Sequence, residues 1–263
     1  MVHKCSQAVI LAAGMGKRLE SDIPKCLYSF NGKTLIERNI DLMMKNGVKE
    51  VIVIGGYKFE MLEDHLKGYK NVILVNNLEY DKYQTTQSMS LAYPFISDCF
   101  IQTEGDLVFE EKALKELLKS SANTMVHSGY KDTHSVSVPQ FENGMLVNFT
   151  RGIEYRNGVQ QPPNFTGPSH FTKEMLGFMK NYNQINNYTL LYEEAVAMSV
   201  SKESIPLSML YIPGLRYWDL NVKEDYDNVK SLINTLDEED SLTIYPNQLD
   251  SQNLQFHHPI LPI

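Results

Sequence analysis

Cysteine is scarce in this chain of 263 residues: Cys5, Cys26 and Cys99 are odd in number, far apart and without a C-x-x-C pair. That pattern indicates neither a disulfide framework nor a thiolate zinc site, and the three read as reduced thiols. The seven histidines show no ligand spacing either; His257 and His258 suit adventitious metal binding in a solvated tail. Apolar runs of membrane-spanning length are missing, and Met1 to Gln7 lacks the apolar core and cleavage site of a signal peptide. A cytoplasmic protein with no membrane partner is therefore expected. Positive charge is also short, with 24 Lys and Arg against 32 Asp and Glu and a net charge of -8, which argues against nucleic acid as the main partner. No internal repeat is found.

What the chain does have is a concentrated stretch near its start. The apolar run from Val9 through Ala13 reads as a buried strand, followed by Gly14-Met15-Gly16 and then by Lys17, Arg18 and Lys25. Glycines can turn successive N–H groups inward, and the cations can neutralise an anion held there, so the stretch reads as a triphosphate cradle. It is not the dinucleotide fingerprint, because Leu19 stands where the third glycine belongs, and not a Walker A loop, because Arg18 follows Lys17.

Downstream, Asn31-Gly32 reads as a turn, Ile36, Ile40, Met43 and Met44 as one helix face up to a capping Gly47, Val51 to Ile54 as a strand apolar on both faces, Lys58 to Leu66 as a helix and Val72 to Val75 as a strand. This alternation predicts a doubly wound α/β sheet. A further helix is expected near Gln87, with Thr85 or Thr86 as its N-cap. Asp106, beyond the strand Phe100 to Thr103, sits where open α/β sheets place ligands and is the first expected metal ligand, with Glu104 beside it.

Strands are expected at 123–126, 134–138 and 145–149, the last two forming a hairpin about Asn143-Gly144 that extends the sheet. A polar loop over 151–167, helices over 172–181 and 188–201, and a strand over 207–212 follow. Glu193 and Glu194 read as a solvated helix face, with Glu193 as a candidate to hold an acceptor's amine or hydroxyl. Glu224 and Asp225 read as first-turn acids of the next helix, and residues after about Asp237 as a solvated tail or an arm on a neighbouring subunit. The division expected is one domain over 1–235 and a tail over 236–263.

The series Leu11-Ala12-Ala13-Gly14-x-Gly16-x-Arg18, followed by Pro24-Lys25, resembles the signature of the nucleotidyltransferases. Ser88-Met89-Ser90-Leu91-Ala92 is similar to a helix start that contacts the base in the cytidylyltransferase-like branch, and Asp219-Leu220-Asn221 to Asp225 matches a closing acidic frame in which Asn221 replaces the second Asp. The resemblance implies a Rossmann-like three-layer α/β sandwich of the nucleotide-diphospho-sugar transferase type with a mixed, mostly parallel sheet. It implies transfer of CMP from CTP to a small phosphorylated or phosphonate acceptor with Mg2+ as cofactor, in surface polysaccharide or lipid decoration, in a possible homodimer. Leu11 to Lys17, Ser88 and Gln87 would then bind nucleotide, Lys25, Arg18 and Asp106 would be catalytic, and Asp106 and Asn221 would hold the metal, with Asp219 helping directly or through water. A sugar-1-phosphate nucleotidyltransferase is the runner-up; a nucleotide-sugar glycosyltransferase and a non-catalytic nucleotide-binding module are the rivals outside the family.

Overall fold

The computed structural model describes residues 5–121, 123–128, 137–142, 145–151 and 164–244. Its centre is a seven-stranded sheet in the order β12-β8-β11-β6-β1-β4-β5. These strands are β1 (Gln7–Ala12), β4 (Glu50–Gly55), β5 (Val72–Asn76), β6 (Cys99–Glu104), β8 (Thr124–Ser128), β11 (Asn164–Thr172) and β12 (Ser208–Tyr211). β1 pairs in parallel with both β4 and β6, β4 with β5, and β12 with β8; β11 alone runs antiparallel to its two neighbours.

Alternation along β1 explains why helices cover both faces. Ala8, Ile10 and Ala12 point into one core, with Ile36, Ile40 and Met43 of α1 (Leu35–Lys45), Leu62 and Leu66 of α2 (Phe59–Leu66), and Ala113, Leu114 and Leu117 of α4 (Glu111–Lys119). Val9 and Leu11 point into the other, with Met89 of α3 (Thr85–Ser90), Met175 and Met179 of α5 (Lys173–Ile185), and Val196 and Val200 of α6 (Tyr192–Glu203). A sheet apolar on both faces gains stability only when both are covered. The local signals agree: Thr34 and Glu37 close a capping box at α1, and Asn31 and Gly32, both at positive φ, turn the short hairpin β2 (Ser29–Phe30) to β3 (Lys33–Thr34). Among the described residues, no helix is long and apolar enough to cross a membrane.

The chain runs β1, β4, β5 outward to one edge and then returns to lay β6 on the other side of β1. The strand order reverses there, and a crevice opens beyond the carboxyl ends of β1 and β6, as open α/β sheets place it.

Five sequence expectations are corrected. The hairpin β9 (Ser137–Glu142) and β10 (Met145–Arg151) does not extend the sheet: it forms a two-stranded sheet of its own and buries Leu146 and Phe149 in the core beneath α6. Its turn, and residues 134–136, lie outside the described residues. The polar segment expected as a loop to 167 gives way at Asn164 to β11, whose Gly-Pro pair is absorbed by a register shift between Phe165 and Ser169, with Gly167 at φ +105°. Neither threonine caps α3: Gln84 is its N-cap, because Thr85 accepts the Tyr192 N–H and Thr86 donates to the Leu190 carbonyl. Glu224 falls in the turn before α7 (Asp225–Ile244) and not in its first turn, whereas Asp225 is the first-turn acid expected, its carboxylate reaching back to the loop before the helix. Finally, the acidic run after 236 is helix and not tail. α7 continues to Ile244, with Val229 and Ile233 packed against Phe30 and against Val108 of β7 (Leu107–Phe109). Its acids are fastened too, Asp237 to Arg38, Glu239 to Arg216 and Asp240 to Lys45.

Candidate active site

The crevice at the reversal has a volume of about 270 Å³. One wall is the end of β1: Leu11, Ala12, Ala13 and Gly14 all line it. Gly14 has ordinary backbone angles, and a side chain there would meet nothing within 4 Å, so its bareness leaves open space along the wall. Gly16 has the opposite role. It sits at φ +58°, and a Cβ there would lie 2.7 Å from Cγ of Lys25. The second glycine therefore makes the turn and admits the lysine stem. Met15 and Gly16 are half-buried and Lys17 exposed; these three stand beside the crevice rather than in its lining.

Lys25 opens a single helical turn, Lys25–Leu27, behind Pro24, and projects its ammonium onto the carboxylate of Asp106. Asp106 lies in the tight turn between β6 and β7. There the Gly105 N–H donates to the Leu11 carbonyl at 2.8 Å, and a side chain on Gly105 would crowd Ala12 and Cys26 at 3.1 Å. From a third part of the chain, after β13 (Tyr217–Asp219), comes Asn221. Its carbonyl oxygen accepts from Lys25 Nζ and from Arg18 at 3.1 Å each, and its amide donates to Asp219. The carbonyl that the sequence assigned to a metal is thus engaged by two cations. Asp225 holds this loop by accepting the backbone N–H groups of Asn221 and Val222, each at 2.8 Å, and the Trp218 indole N–H at 3.0 Å.

The carboxylates here are crowded. Burial, then the charges of Asp106, Glu193 and Asp219, push the Glu104 carboxyl up to about 8. Burial and Asp106 likewise raise Asp219. Burial works against the Lys25 ammonium, yet the charge and hydrogen bond of Asp106, with Glu104 and Asp219 behind, hold its pKa above the ordinary lysine value. Glu104 lines the crevice, more central than its sequence position suggested.

The opposite wall is α3 and the loop before it: Tyr80, Tyr83, Gln84, Thr85 and Ser88. Ser88 accepts from the Asn77 side chain at 2.9 Å, which ties it to the end of β5. Gly56 carries no Cβ where one would fall 2.6 Å from Cβ of Tyr80, so the tyrosine packs against the β4 end. Gln87 is not in the lining and accepts instead from Asn183 at 3.5 Å. Glu193 is not in the lining either, but it is buried, 5 % exposed, and near enough for its charge to act on Glu104. The solvated helix face expected there is overturned for Glu193, while Glu194 accepts the Leu191 N–H at the start of α6.

A model of the MobA-like NTP transferase domain matches residues 8–194. The chain belongs to this family. Within that NTP transferase family, a protein of Campylobacter jejuni named CTP:phosphoglutamine cytidylyltransferase is 29 % identical over 122 residues, 43 % of this chain and 48 % of that one, so the match spans about half the relative's length. A choline-phosphate cytidylyltransferase of Haemophilus influenzae is 24 % identical over 234 residues, 84 % of this chain and 95 % of that one. The structure of the inositol-1-phosphate CTP transferase from T. maritima superposes with a TM-score of 0.75 at 20 % identity, covering 90 % of this chain and 98 % of that one. At that identity the likeness speaks for the fold, an α/β sandwich around a mixed, mostly parallel sheet.

Sequence reasoning missed Tyr80, Tyr83 and Gln84 as crevice residues. Their only signal was an aromatic pair three residues apart in a polar loop, which has no meaning until β5 delivers that loop to the crevice mouth.

Proposed function

We propose that this NTP transferase moves CMP from CTP onto a small phosphorylated or phosphonate acceptor and releases pyrophosphate. The observation that carries the reading is the meeting of Lys25, Asp106 and Asn221, with Arg18 behind, at the foot of a glycine-lined wall. An acceptor oxygen attacks the α-phosphorus in line with the departing pyrophosphate, and the work left to the protein is alignment and neutralisation of charge. The backbone from Gly14 to Lys17 and the Arg18 guanidinium hold the leaving pyrophosphate; Lys25 exchanges its contact with Asp106 for the α-phosphate oxygens and stabilises the charge gathering there. Ser88 and the Tyr83 to Thr85 segment receive the base. No covalent intermediate is required.

Once Lys25 and Arg18 turn to the phosphates, Asp106, Asp219 and Asn221 would offer hard oxygen donors, two of them crowded carboxylates, and this set fits Mg2+. When bound there together with nucleotide, the ion would neutralise phosphate charge. The acceptor reading follows from the same crowding. Glu104 and Asp106 line the inner crevice, the charges of Glu193 and Asp219 act on Glu104 from outside that lining, and tyrosines edge the mouth. An acceptor carrying an amine or quaternary ammonium would relieve this crowding, whereas a neutral hexose phosphate would not.

The test is pyrophosphate release with Mg2+ and each of CTP, UTP, GTP and ATP, against phosphocholine, 2-aminoethylphosphonate, phosphoglutamine, inositol phosphate and hexose-1-phosphates. Release that needs CTP and a nitrogen-bearing acceptor is expected. Turnover with a hexose-1-phosphate would move the assignment to the sugar nucleotidyltransferases, and CTP binding without turnover on any acceptor would remove the transferase reading.

A further inference from the structure

At the far end of β1 and β6 from the crevice, Cys5, Cys99 and His170 come together, all buried, with their potential ligand atoms within 4.8 Å of one another. Cys5 lies just before β1, Cys99 opens β6, and His170 comes from β11, where the register sets it opposite Ile101 and sets Thr172 opposite Cys99. His170 is only 2 % exposed; its ring nitrogens reach no oxygen or nitrogen partner among the described residues, and its interaction with the Cys99 thiol favours the thiolate there. An imidazole buried in that state is costly, because its nitrogens have exchanged water for no more than a weak sulfur neighbour. Cys5 makes a long contact, 3.5 Å, to the Gln7 carbonyl and interacts with the Cys99 thiol.

We propose that Cys5, Cys99 and His170 supply three of the four ligands of a binding site for a zinc-class divalent cation, with water in the fourth position, separate from the crevice. Two thiolates and one imidazole are soft to borderline donors that select zinc over magnesium. Ligand atoms around such an ion sit about 3.5–3.8 Å apart, as bonds of about 2.0–2.3 Å in a tetrahedron require, so the cluster needs to close by no more than about 1 Å on binding. Each thiol gives up one proton as the ion enters, and two thiolates cancel its two positive charges. The loaded site is neutral and suits its buried position. Asp98 borders the cluster closely enough for its charge to act on both thiols. The ion would fasten the segment before β1 to the two strands at the sheet's middle. Residue spacing could not reveal the site, because each ligand comes from a different part of the chain.

The full chain, kept reduced, is titrated with Co2+ and then Zn2+. The expected result is a thiolate-to-cobalt charge-transfer absorption saturating at one ion per chain, its loss on adding Zn2+, and a Zn2+-dependent rise in Tm. Cys99→Ser should lose the absorption and the Tm response while its pyrophosphate release stays within about twofold of the parent, and Cys5→Ser should repeat the loss. The wild-type titration stands by itself should either variant fold poorly. The proposal is overturned if the wild-type chain gives no charge-transfer band, if Cys99→Ser binds Zn2+ equally well, which would point to ligands such as His257 and His258, or if mass spectrometry finds the thiols joined as a disulfide under these reducing conditions.

Discussion

Lys25 shows how a single side chain comes to be prepared for phosphate chemistry. Pro24 starts its turn, the absent Cβ of Gly16 makes room for its stem, and Asp106 and Asn221 hold its ammonium over the crevice. A cation already desolvated and aimed loses little by reorganising when charge builds on a phosphate. On the proposed function, Lys25→Ala should lower kcat by about 10²-fold while leaving CTP affinity within a few fold, because that reading gives most nucleotide contacts to the Gly14 wall and α3. Single-turnover kinetics beside equilibrium CTP binding would check this; equal losses in both would make Lys25 a binding residue only. The lysine was legible as a motif, but its hydrogen bond to Asn221 was not. Only the three-dimensional arrangement reveals that the Asn221 carbonyl accepts from two cations.

Among the elements, α7 is the one whose role the chain's text concealed. Asp237 to Asp240 look like a solvated acidic run because charge and weak periodicity dominate there, yet Val229 and Ile233 seat the helix and three basic residues from other elements take its acids. Its first residue, Asp225, holds the loop that carries Asn221 through three hydrogen bonds. Asp225→Ala should leave those donors partly unsatisfied, costing about 2–3 kcal/mol of stability. It should also reduce turnover, because Asn221 would no longer be fixed beside Lys25 and Arg18. Urea unfolding together with pyrophosphate release would measure both. Unchanged stability would mean that the loop is held by other means.

For the molecule as a whole, the crowded carboxylates set a dependence of stability on pH. Glu104 has its pKa raised from 4.5 to about 8, so across that interval the folded state keeps a proton that the unfolded chain has released. Stability is then highest below the lower value and falls as pH rises through the upper one, with a slope of at most about 1.4 kcal/mol per pH unit for one proton. Asp219, also raised, adds in the same sense. Glu104→Gln should flatten the decline in urea midpoints between pH 5 and 8, with both proteins measured free of nucleotide and metal. A decline of equal steepness in the variant would assign the protons to other groups.

Much of the architecture was open to reading from local pattern. β1 and β4 announce themselves because strands covered on both faces must be apolar at nearly every position, and α1 does so through its capping box and helical spacing. The loop from Gly14 to Lys25 carries its chemistry in adjacent residues, so resemblance alone led to the family. β11 was hidden because its polar, Gly-Pro-containing sequence is overruled by pairing on both sides, and the hairpin's separate sheet was hidden because packing beneath α6 decides it. The burial of Glu193, the crevice wall of Tyr80 and Tyr83 and the Cys5, Cys99 and His170 cluster have one physical cause in common. Each joins residues distant in the chain, and strand order and register, not local spacing, bring them within reach of one another.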